Sequence, residues 1–437
     1  PTIFIIVCIF IQNKSNENKK TRNGLLFLAS ILILGTLILI INDTHSFLPL
    51  PSYRYLNAID PFLTTSVPLV DSVAEHASTT IQQSFLFHSV LMIFAGLGIW
   101  LIIKNHQIKN SGFIKNDMIL FSLIFGLVGI YVSSAFVRLE VFASLSLIIL
   151  SSLGLSILVK EILNNTEMKN FKNSFIKLSF LVGIIILLVI PISFPTNGNW
   201  VTAGKTPATI LNGGSAYPVS TNDWKESMEW IKNNTPKDAV IASWWDYGYW
   251  ISTLGDRATI ADNSTIHTSI IEKLAKMFLS SPEEGWQMLK DMQADYVVVF
   301  VSGQRLAVDN EGQALYILQG GGDESKKQWF IRIAEKPTSQ YLQSDGISGT
   351  DYFWNDTLLG KMFPFTPLAY VNFQTNEQSA TYQPGFTPVY GKDIKYPSDG
   401  NGPLRLVHAS PSFNAEKGQP MIGVFIYEVN KDFIPTK

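Results

Sequence analysis

The sequence predicts a polytopic α-helical membrane bundle followed by a C-terminal α/β globular domain with a β-rich tail. Residues 1–195 carry apolar stretches of membrane-spanning length, and basic residues concentrate in alternate connections between them. After residue 196 the apolar runs shorten and are interrupted by Gly, Pro, Asn and Asp. Only 16% of the residues are charged, against about 25% in an average protein. The first 195 residues are therefore assigned to lipid and the remainder to water.

Five apolar stretches have the length of roughly 17–25 residues that a helix needs to cross a bilayer. Residues 1–12 have the composition of the end of another span. Pro1 enters this run without a Met or a basic segment, so we expect an N-terminal portion to precede it. The five stretches are Gly24–Ile41, Phe87–Ile103, Met118–Val137, Val141–Val159 and Leu178–Phe194.

The connections between these stretches predict one orientation in the membrane. Lys and Arg are frequent in 13–23, 104–117 and 160–177, whereas the outer loop 42–86 has a single Arg and no Lys. Positive charge favours the cytoplasmic side. We therefore expect a multi-pass protein of the cell membrane with its C-terminal domain on the extracytoplasmic side. A membrane of the endoplasmic reticulum, with the domain in the lumen, fits the same pattern.

Composition excludes several classes of function. The net charge of −2 leaves no basic excess to neutralise phosphates, which excludes a nucleic acid as partner. Cys8 is the only cysteine, so no disulfide can form within the chain. Zinc and iron–sulfur sites built from several thiolates are excluded for the same reason.

Residues 196–365 alternate helices with short strands, which predicts an α/β domain with a small, mostly parallel sheet. Residues 366–437 then turn to a β pattern. The predicted helices are Asp223–Lys232, Ser264–Phe278, Glu283–Met292 and Asp323–Ala334. The predicted strands are Ala239–Ala242, Ala258–Ala261, Tyr296–Val301, Ala369–Phe373, Leu404–His408 and Met421–Val429.

The string Ser243–Trp250 places five aromatic residues around the carboxylate of Asp246 at the end of a predicted strand. An ionised carboxylate accepts hydrogen bonds, and indoles donate them from a rigid apolar wall, so the string can bind a hydroxyl or an amide. Gly248 lets the chain turn sharply there. An aromatic core cluster with a helix-capping Asp is the alternative interpretation.

Two further segments carry ionisable groups near the predicted ends of spans. In the outer loop, Glu75 next to His76 can bind a divalent cation or transfer a proton, or it is a solvated acid. Arg138 lies at a span boundary, where an ionisable group that faces the bundle is a functional candidate. The alternative for Arg138 is an interfacial side chain paired with Glu140.

Asp323, Lys326 and Phe330 have the spacing i, i+3 and i+7 and share one face of a predicted helix. An ordinary ion pair within the helix is the alternative interpretation of Asp323 and Lys326. Triplets of the Asn-X-Thr type accept N-linked glycans, and three of those on the predicted outer side are singled out. They are Asn42-Asp43-Thr44, Asn263-Ser264-Thr265 and Asn355-Asp356-Thr357.

The string Trp244-Trp245-Asp246-Tyr247-Gly248 resembles the signature of the oligosaccharyltransferase catalytic subunit family, and the chain looks most like the archaeal single-subunit type. The resemblance covers about residues 50–335 and implies a membrane bundle of the GT-C type. It continues, in the family's order and spacing, through Arg54–Leu56, Asp60-Pro61, Ser72–His76, Asp262–Thr265 and Ala294–Val297.

The resemblance implies transfer of a preassembled oligosaccharide from a dolichyl phosphate or pyrophosphate carrier to the Asn amide of Asn-X-Ser/Thr in acceptor polypeptides, with inversion at the sugar. Trp244, Trp245 and Asp246 are expected to bind the acceptor hydroxyl. Asp323 and Lys326 match a second recognition motif. Its third position, usually Met or Ile, falls on Phe330, with Ile331 as the substitute if the helix register shifts.

The resemblance also implies that Glu75 is catalytic and ligates a divalent cation, Mn²⁺ or Mg²⁺. Arg138 matches an arginine that faces the phosphate of the lipid-linked oligosaccharide. The family's two acidic motifs, which supply further metal ligands, have no equivalent between Pro1 and Asp71. We therefore expect this chain alone to be inactive.

Two other functions are weighed against this one. A related polytopic enzyme could transfer a lipid-linked sugar without acting on Asn, and it would not need a Trp-Trp-Asp pocket. In a membrane-anchored, outward-facing receptor, Glu75, Arg138 and Asp246 would be unrelated in space.

Overall fold

A computed structural model of the chain comprises two compact units, Pro1–Gly204 and Lys205–Lys437. The structure describes residues 2–45, 47–48, 50, 52–60, 62–63, 67–73, 76, 78–109, 117–164, 171–194, 199–203, 221–308, 314–414 and 420–435.

The first unit is mostly helical in its described residues. Three helical segments are long and apolar enough to cross a membrane, namely Glu17–His45, Val137–Lys160 and Ser174–Ser193, and Val90–Leu101 and Leu120–Ser133 are shorter apolar helices. The helices are α1 (Thr2–Lys14), α2 (Lys20–His45), α3 (Ser52–Ile59), α4 (Pro68–Asp71), α5 (Ile81–His88), α6 (Val90–Lys109), α7 (Asp117–Ser133), α8 (Glu140–Asn164), α9 (Phe171–Ser193) and α10 (Trp200–Ala203).

Two span boundaries differ from the sequence prediction. The stretch predicted from Phe87 is interrupted at Ser89, whose φ of 49° separates α5 from α6. The stretch predicted to reach Val137 ends as α7 at Ser133. The breaks fall at the polar pairs His88-Ser89 and Ser133-Ser134, which are too short to end an apolar stretch averaged over the length of a span.

Helices α6 and α8 approach closely through two glycines. A Cβ added at Gly98 would lie 2.4 Å from the carbonyl oxygen of Leu150, and one added at Gly154 would lie 2.4 Å from the Cα of Gly98. Small residues let helix backbones come together and gain packing contacts in a lipid environment. The two glycines therefore set the distance between these helices.

The second unit is built on a mixed sheet. Nine strands of the described residues form it, in the order β2-β1-β3-β4-β7-β5-β6, with β9 pairing β3 and β8. The strands are β1 (Val240–Ser243), β2 (Ala258–Thr259), β3 (Tyr296–Val308), β4 (Ala314–Leu318), β5 (Phe365–Asn372), β6 (Glu377–Ser379), β7 (Thr387–Lys392), β8 (Leu404–Ala409) and β9 (Pro420–Val429).

The prediction of a small, mostly parallel sheet within residues 196–365 is confirmed for its three predicted strands, and the complete sheet is mixed. Among the described strands, β1 pairs in parallel with β2 and β3, and the other pairs are antiparallel. Parallel strands need a long crossover connection, whereas antiparallel strands can follow one another directly. Helices lie between β1, β2 and β3, whereas β9 adds to β3 in the antiparallel sense along nine residues, Tyr296 to Gln304. The β-rich tail thus shares one sheet with the preceding α/β region.

The predicted helices of this unit are confirmed with shifted ends. The helix predicted from Ser264 begins at Thr268, because 262–265 form a turn in which Thr265 has a φ of 47°. The helices are α11 (Asp223–Asn234), α12 (Gly248–Thr253), α13 (Thr268–Leu279), α14 (Pro282–Asp291), α15 (Asp323–Ile333), α16 (Thr338–Tyr341), α17 (Asp351–Asp356) and α18 (Leu358–Met362).

We predict that Gly98→Ala lowers the melting temperature of the protein in detergent, because overpacking against a backbone oxygen costs about 1–3 kcal/mol. Gly96→Ala is the matched control in the same helix, since its added Cβ meets nothing within 4 Å. Alanine otherwise favours a helix over glycine by about 0.5–1 kcal/mol, so the control should not be destabilised. Equal melting temperatures for the two variants would contradict the close crossing.

Candidate functional site

The Trp-rich string lies at the carboxyl end of β1 in the second unit. Trp244 leaves the strand with extended backbone, Trp245–Tyr247 form one 3₁₀ turn, and α12 follows. In a sheet with parallel strands, the carboxyl ends of the strands are the usual place for a binding site. The parallel part of this sheet therefore presents the string at its functional edge.

The two indoles of the string are buried. Trp244 is 2% exposed and meets Phe330 edge-on, with ring centroids 4.3 Å apart. Phe330 in turn stacks on Phe278 at 5.6 Å. The indole N–H of Trp245 is also buried, and within the described residues it has no hydrogen-bond partner. A buried donor without a partner is costly, which marks it as a group that can gain from binding an acceptor atom.

Asp246 lies at the rim of this cluster. Its side chain is 25% exposed and forms an ion pair with Lys326, whose side chain is 22% exposed. Lys326 Nζ also lies 3.3 Å from the hydroxyl of Tyr247. The alternative of a helix-capping Asp is wrong, because α12 has no side-chain cap at its N-terminus. The carboxylate is instead held by a cation and remains accessible to solvent.

Asp323 connects the string to strand β3 through two hydrogen bonds. It is 1% exposed; its Oδ1 accepts a hydrogen bond of 2.7 Å from Tyr247 Oη, and its Oδ2 accepts one of 2.8 Å from the N–H of Phe300. Burial raises the pKa of Asp323 to about 6, against the opposing effects of Lys326 and these donors. Burial, followed by the charge of Asp323, raises the pKa of Tyr247 well above its usual range. Tyr247 therefore stays a hydrogen-bond donor.

The predicted helix face of α15 is confirmed in its geometry. Asp323, Lys326 and Phe330 all point at the string, where they contact Tyr247, Asp246 and Trp244, respectively. The alternative of an ion pair within the helix is wrong, since Lys326 pairs with Asp246, whereas Asp323 accepts hydrogen bonds from Tyr247 and Phe300. The spacing of the three residues along the helix therefore matches their contacts with the string, which lies about 80 residues earlier in the chain.

Phe330 and Ile331 require a correction. Both are fully buried, at 0% exposure, so in this conformation neither side chain is available for direct contact with an acceptor. Phe330 instead supports Trp244 from behind. Phe330, which stands where the family usually has Met or Ile, fills space in the core between Trp244 and Phe278. The sequence alone does not predict this packing.

The contacts of Asn263 and the reason for Gly248 were not predicted from the sequence. Asn263 was singled out as part of an acceptor triplet and of the family-like segment Asp262–Thr265, and its side chain bonds to the backbone of the string. Gly248 has an ordinary helical φ of −57°, so a sharp turn does not require it. A Cβ there would lie 2.3 Å from the carbonyl oxygen of Ala261, which shows that close approach is the constraint.

In the first unit, Arg138 lies in the 3₁₀ turn Val137–Leu139 and is exposed. The alternative pairing with Glu140 is wrong, because the Glu140 carboxylate binds α5 instead. It accepts a hydrogen bond of 2.8 Å from Ser84 Oγ and lies 2.5 Å from His88 Nε2. Arg138 is thus left accessible. The contacts of Glu140 with Ser84 and His88 form a buried polar bracket that joins α8 to α5.

The outer loop is fastened to the turn that carries Arg138. Thr79 Oγ1 donates to the carbonyl of Ser133 at 3.0 Å, and the ring of His76 lies 5.1 Å from that of Phe136. Glu75 lies outside the described residues, although its neighbour His76 is described. His76 and Thr79 therefore lie beside the turn that carries Arg138.

The expected metal ligands cannot be assembled from the described residues. Among them, no group of three or more His, Cys, Asp or Glu side chains could hold a metal ion. The ligation of a metal by Glu75 therefore stays a prediction.

No protein-family model matches the chain. Curated relatives include the dolichyl-diphosphooligosaccharide–protein glycosyltransferase subunit STT3 of Dictyostelium discoideum, 28% identical over 337 residues, which cover 74% of this chain and 42% of the relative. The corresponding subunit STT3B of Oryza sativa subsp. japonica is 25% identical over 421 residues, 88% of this chain and 54% of the relative. The chain spans about half the length of the curated relatives it matches.

Among solved structures, the archaeal oligosaccharyltransferase AglB from Archaeoglobus fulgidus, in complex with an inhibitory peptide and a dolichol-phosphate, shares the fold. The TM-score is 0.51 at 15% identity, over 94% of this chain and 46% of that one. The class so defined is a membrane protein in which a polytopic GT-C-type helical part precedes a C-terminal globular domain. The curated relatives to which this chain is similar are glycosyltransferase subunits, and the solved structure shows the shared fold.

We predict that the stability contributed by Asp323 falls as the pH rises from about 4 to 6. Its folded pKa is raised to about 6 from 3.8, so the folded state binds more protons in that window, and the difference corresponds to about 3 kcal/mol. The melting temperature of the globular unit, followed by tryptophan fluorescence, should therefore fall relative to that of Asp323→Asn. Asp399→Asn, at an exposed position, is the control and should follow the wild type; parallel curves for all three proteins would contradict the raised pKa.

Proposed function

We propose that the complete protein transfers a preassembled oligosaccharide from a dolichyl phosphate or pyrophosphate carrier to the Asn amide of Asn-X-Ser/Thr in acceptor polypeptides. The observation that carries the proposal is the accessible Asp246–Lys326 pair next to the buried, unpartnered indole N–H of Trp245. The curated relatives are glycosyltransferase subunits, and the comparison structure holds a peptide and a dolichol-phosphate.

The hydroxyl of an acceptor Ser or Thr fits this arrangement because it both donates and accepts hydrogen bonds. Its proton would bond to the Asp246 carboxylate, and its oxygen would accept from the indole of Trp245. Trp244 lies beside Trp245, with ring centroids 6.2 Å apart, and Lys326 orients the carboxylate. A site built to pair a hydroxyl rejects analogues without one by about 10⁴–10⁵.

The asparagine amide is a weak nucleophile because its nitrogen lone pair is delocalised into the carbonyl. We assign Glu75 to orient this amide and to ligate a divalent cation, Mn²⁺ or Mg²⁺, in the complete protein. Such a cation stabilises the charge of a leaving phosphate. Arg138 is assigned to the same phosphate, which its planar guanidinium can bind through two parallel hydrogen bonds. Attack from the face opposite the leaving group would invert the sugar.

The type and setting of the enzyme follow from the same features. We propose an archaeal single-subunit form, with the globular unit on the extracytoplasmic side of the cell membrane. The distribution of Lys and Arg in the connections supports this orientation.

The experiment that tests the function is transfer by the complete gene product, in detergent with lipid-linked oligosaccharide, to fluorescent Asn-X-Thr and Asn-X-Ala peptides. Wild type should modify only the first peptide, and Asp246→Ala should lower kcat/KM at least 100-fold, because it removes the hydroxyl partner and leaves Lys326 unpaired. The exposed Asp399→Ala is the matched control and should retain activity.

Other outcomes of this assay separate the alternatives. Transfer to lipid, or to Ser or Thr, with none to Asn would favour the related polytopic transferase. A folded protein that transfers sugar to no acceptor would favour the membrane-anchored receptor.

We further predict that the activity depends on a divalent cation and on Glu75. Removal of metal with EDTA should abolish transfer, and Mn²⁺ or Mg²⁺ should restore it. Glu75→Gln should shift the cation concentration for half-maximal activity upward by at least tenfold, since a neutral amide is a poorer ligand. The exposed Glu377→Gln should leave that concentration unchanged. Full activity in EDTA would refute the assignment.

A further inference from the structure

We propose that Asn263 is a positioning residue of the acceptor site, whose side chain clasps the turn that carries Asp246. The inference rests on the proposed function, because that function makes Asp246 part of an acceptor site. The hydrogen bonds of Asn263 do not depend on it. Asn263 Nδ2 donates a hydrogen bond of 2.9 Å to the carbonyl oxygen of Asp246. Its Oδ1 accepts one of 3.1 Å from the N–H of Tyr249. One carboxamide thus spans the junction between the 3₁₀ turn and α12.

Both ends of this clasp meet backbone groups at the start of a helix. Tyr249 is the second residue of α12, and the first four N–H groups of a helix have no partner within it. Asn263 supplies that partner to Tyr249. A carboxamide is suited to the position because it donates and accepts at once, whereas a carboxylate can only accept.

The segment that carries Asn263 is itself fixed in place. Asp262 Oδ1 accepts a hydrogen bond of 2.9 Å from the N–H of Ser264, which makes a tight turn around Asn263. Thr265 closes this turn with a φ of 47° and is buried at 4% exposure. Left-handed backbone at a β-branched residue persists only where the surrounding structure determines it. The clasp is therefore a rigid support for the string.

Gly248 provides the space in which the clasp closes. A Cβ at this position would lie 2.3 Å from the Ala261 carbonyl oxygen and 2.4 Å from the Cα of Asp262. The backbone of 261–262 thus packs directly on the junction that Asn263 spans. The position of the Asp246 carboxylate is then set from two sides, by Lys326 at the side chain and by Asn263 at the main chain.

Loss of the clasp should weaken acceptor recognition more than the chemical step. A carboxylate must be held within about 0.5 Å of its productive position to pair with a hydroxyl. Carrier binding, assigned to Arg138 in the other unit, does not involve the clasp. The expected signature is a raised KM for the acceptor peptide at nearly constant kcat and constant KM for the carrier.

The test compares Asn263→Ala and Asn263→Asp with wild type in the complete protein, using an Asn-X-Thr peptide and lipid-linked oligosaccharide. We expect the KM for the peptide to rise roughly 5- to 30-fold, the effect of losing one or two hydrogen bonds. Asn263→Asp should show the smaller rise, because it keeps the bond from Tyr249. Asn355→Ala is the matched control from another Asn-X-Thr triplet, at an exposed position, and should leave all parameters unchanged.

The outcomes distinguish this inference from the proposed function. Wild type without any transfer would overturn the proposed function. Active wild type with an unchanged peptide KM in both Asn263 variants would overturn the inference alone, as would a fall in kcat without a change in KM.

Hydrogen exchange provides a test that does not require a foldable variant or an active enzyme. Because Tyr249 has no partner within its helix, its amide should exchange slowly in the wild-type protein only if Asn263 protects it. Exchange as fast as that of an unprotected helix-start amide would overturn the clasp. Slow exchange in wild type that becomes at least tenfold faster in Asn263→Ala, while it stays slow in Asn263→Asp, would support it.

Discussion

The buried carboxylate of Asp323 connects the parts of the globular unit on which the candidate site depends. It holds β3 through the N–H of Phe300, the string through the hydroxyl of Tyr247, and it belongs to the helix that presents Lys326 and Phe330. A buried ionisable group is tolerated because donors surround it, and no apolar residue could replace these directional bonds. The positions of Trp244 and Asp246 relative to α15 follow from this connection. The accessible ion pair of Asp246 and Lys326 is therefore supported by the buried hydrogen bonds of Asp323.

In the membrane unit, an analogous polar bracket supports the turn of Arg138. Glu140 binds Ser84 and His88 on one face of α5, which leaves the neighbouring arginine exposed. Burying such groups between apolar helices is expensive, so their presence in this position has a purpose beyond packing. The outer loop is fastened to the same turn by Thr79 and by the contact of His76 with Phe136. Each unit thus places one accessible charged side chain on a turn supported by buried polar contacts.

Much of the architecture could be predicted from the sequence, because it depends on local pattern. Apolar length identified the membrane helices, and the spacing of Asp323, Lys326 and Phe330 identified a shared helix face. The antiparallel pairing of β9 with β3 could not be predicted, since it joins segments more than 100 residues apart and no local signal encodes it. Burial of Phe330 was missed for the same reason, as it depends on Trp244 and Phe278. The hydrogen bonds of Asn263 could not be predicted, because its place in an acceptor triplet says nothing about which backbone groups its side chain binds.

The clasp of Asn263 has a consequence for the maturation of the chain. Asn263 begins an Asn-X-Thr triplet, yet its amide nitrogen is already committed to the carbonyl of Asp246. Asn42, in a second such triplet, is likewise occupied, since its Nδ2 donates to Ser52 Oγ at 2.6 Å. In the folded chain both amide nitrogens are thus occupied by hydrogen bonds within the protein, and glycosylation of either asparagine would require its hydrogen bond to break first.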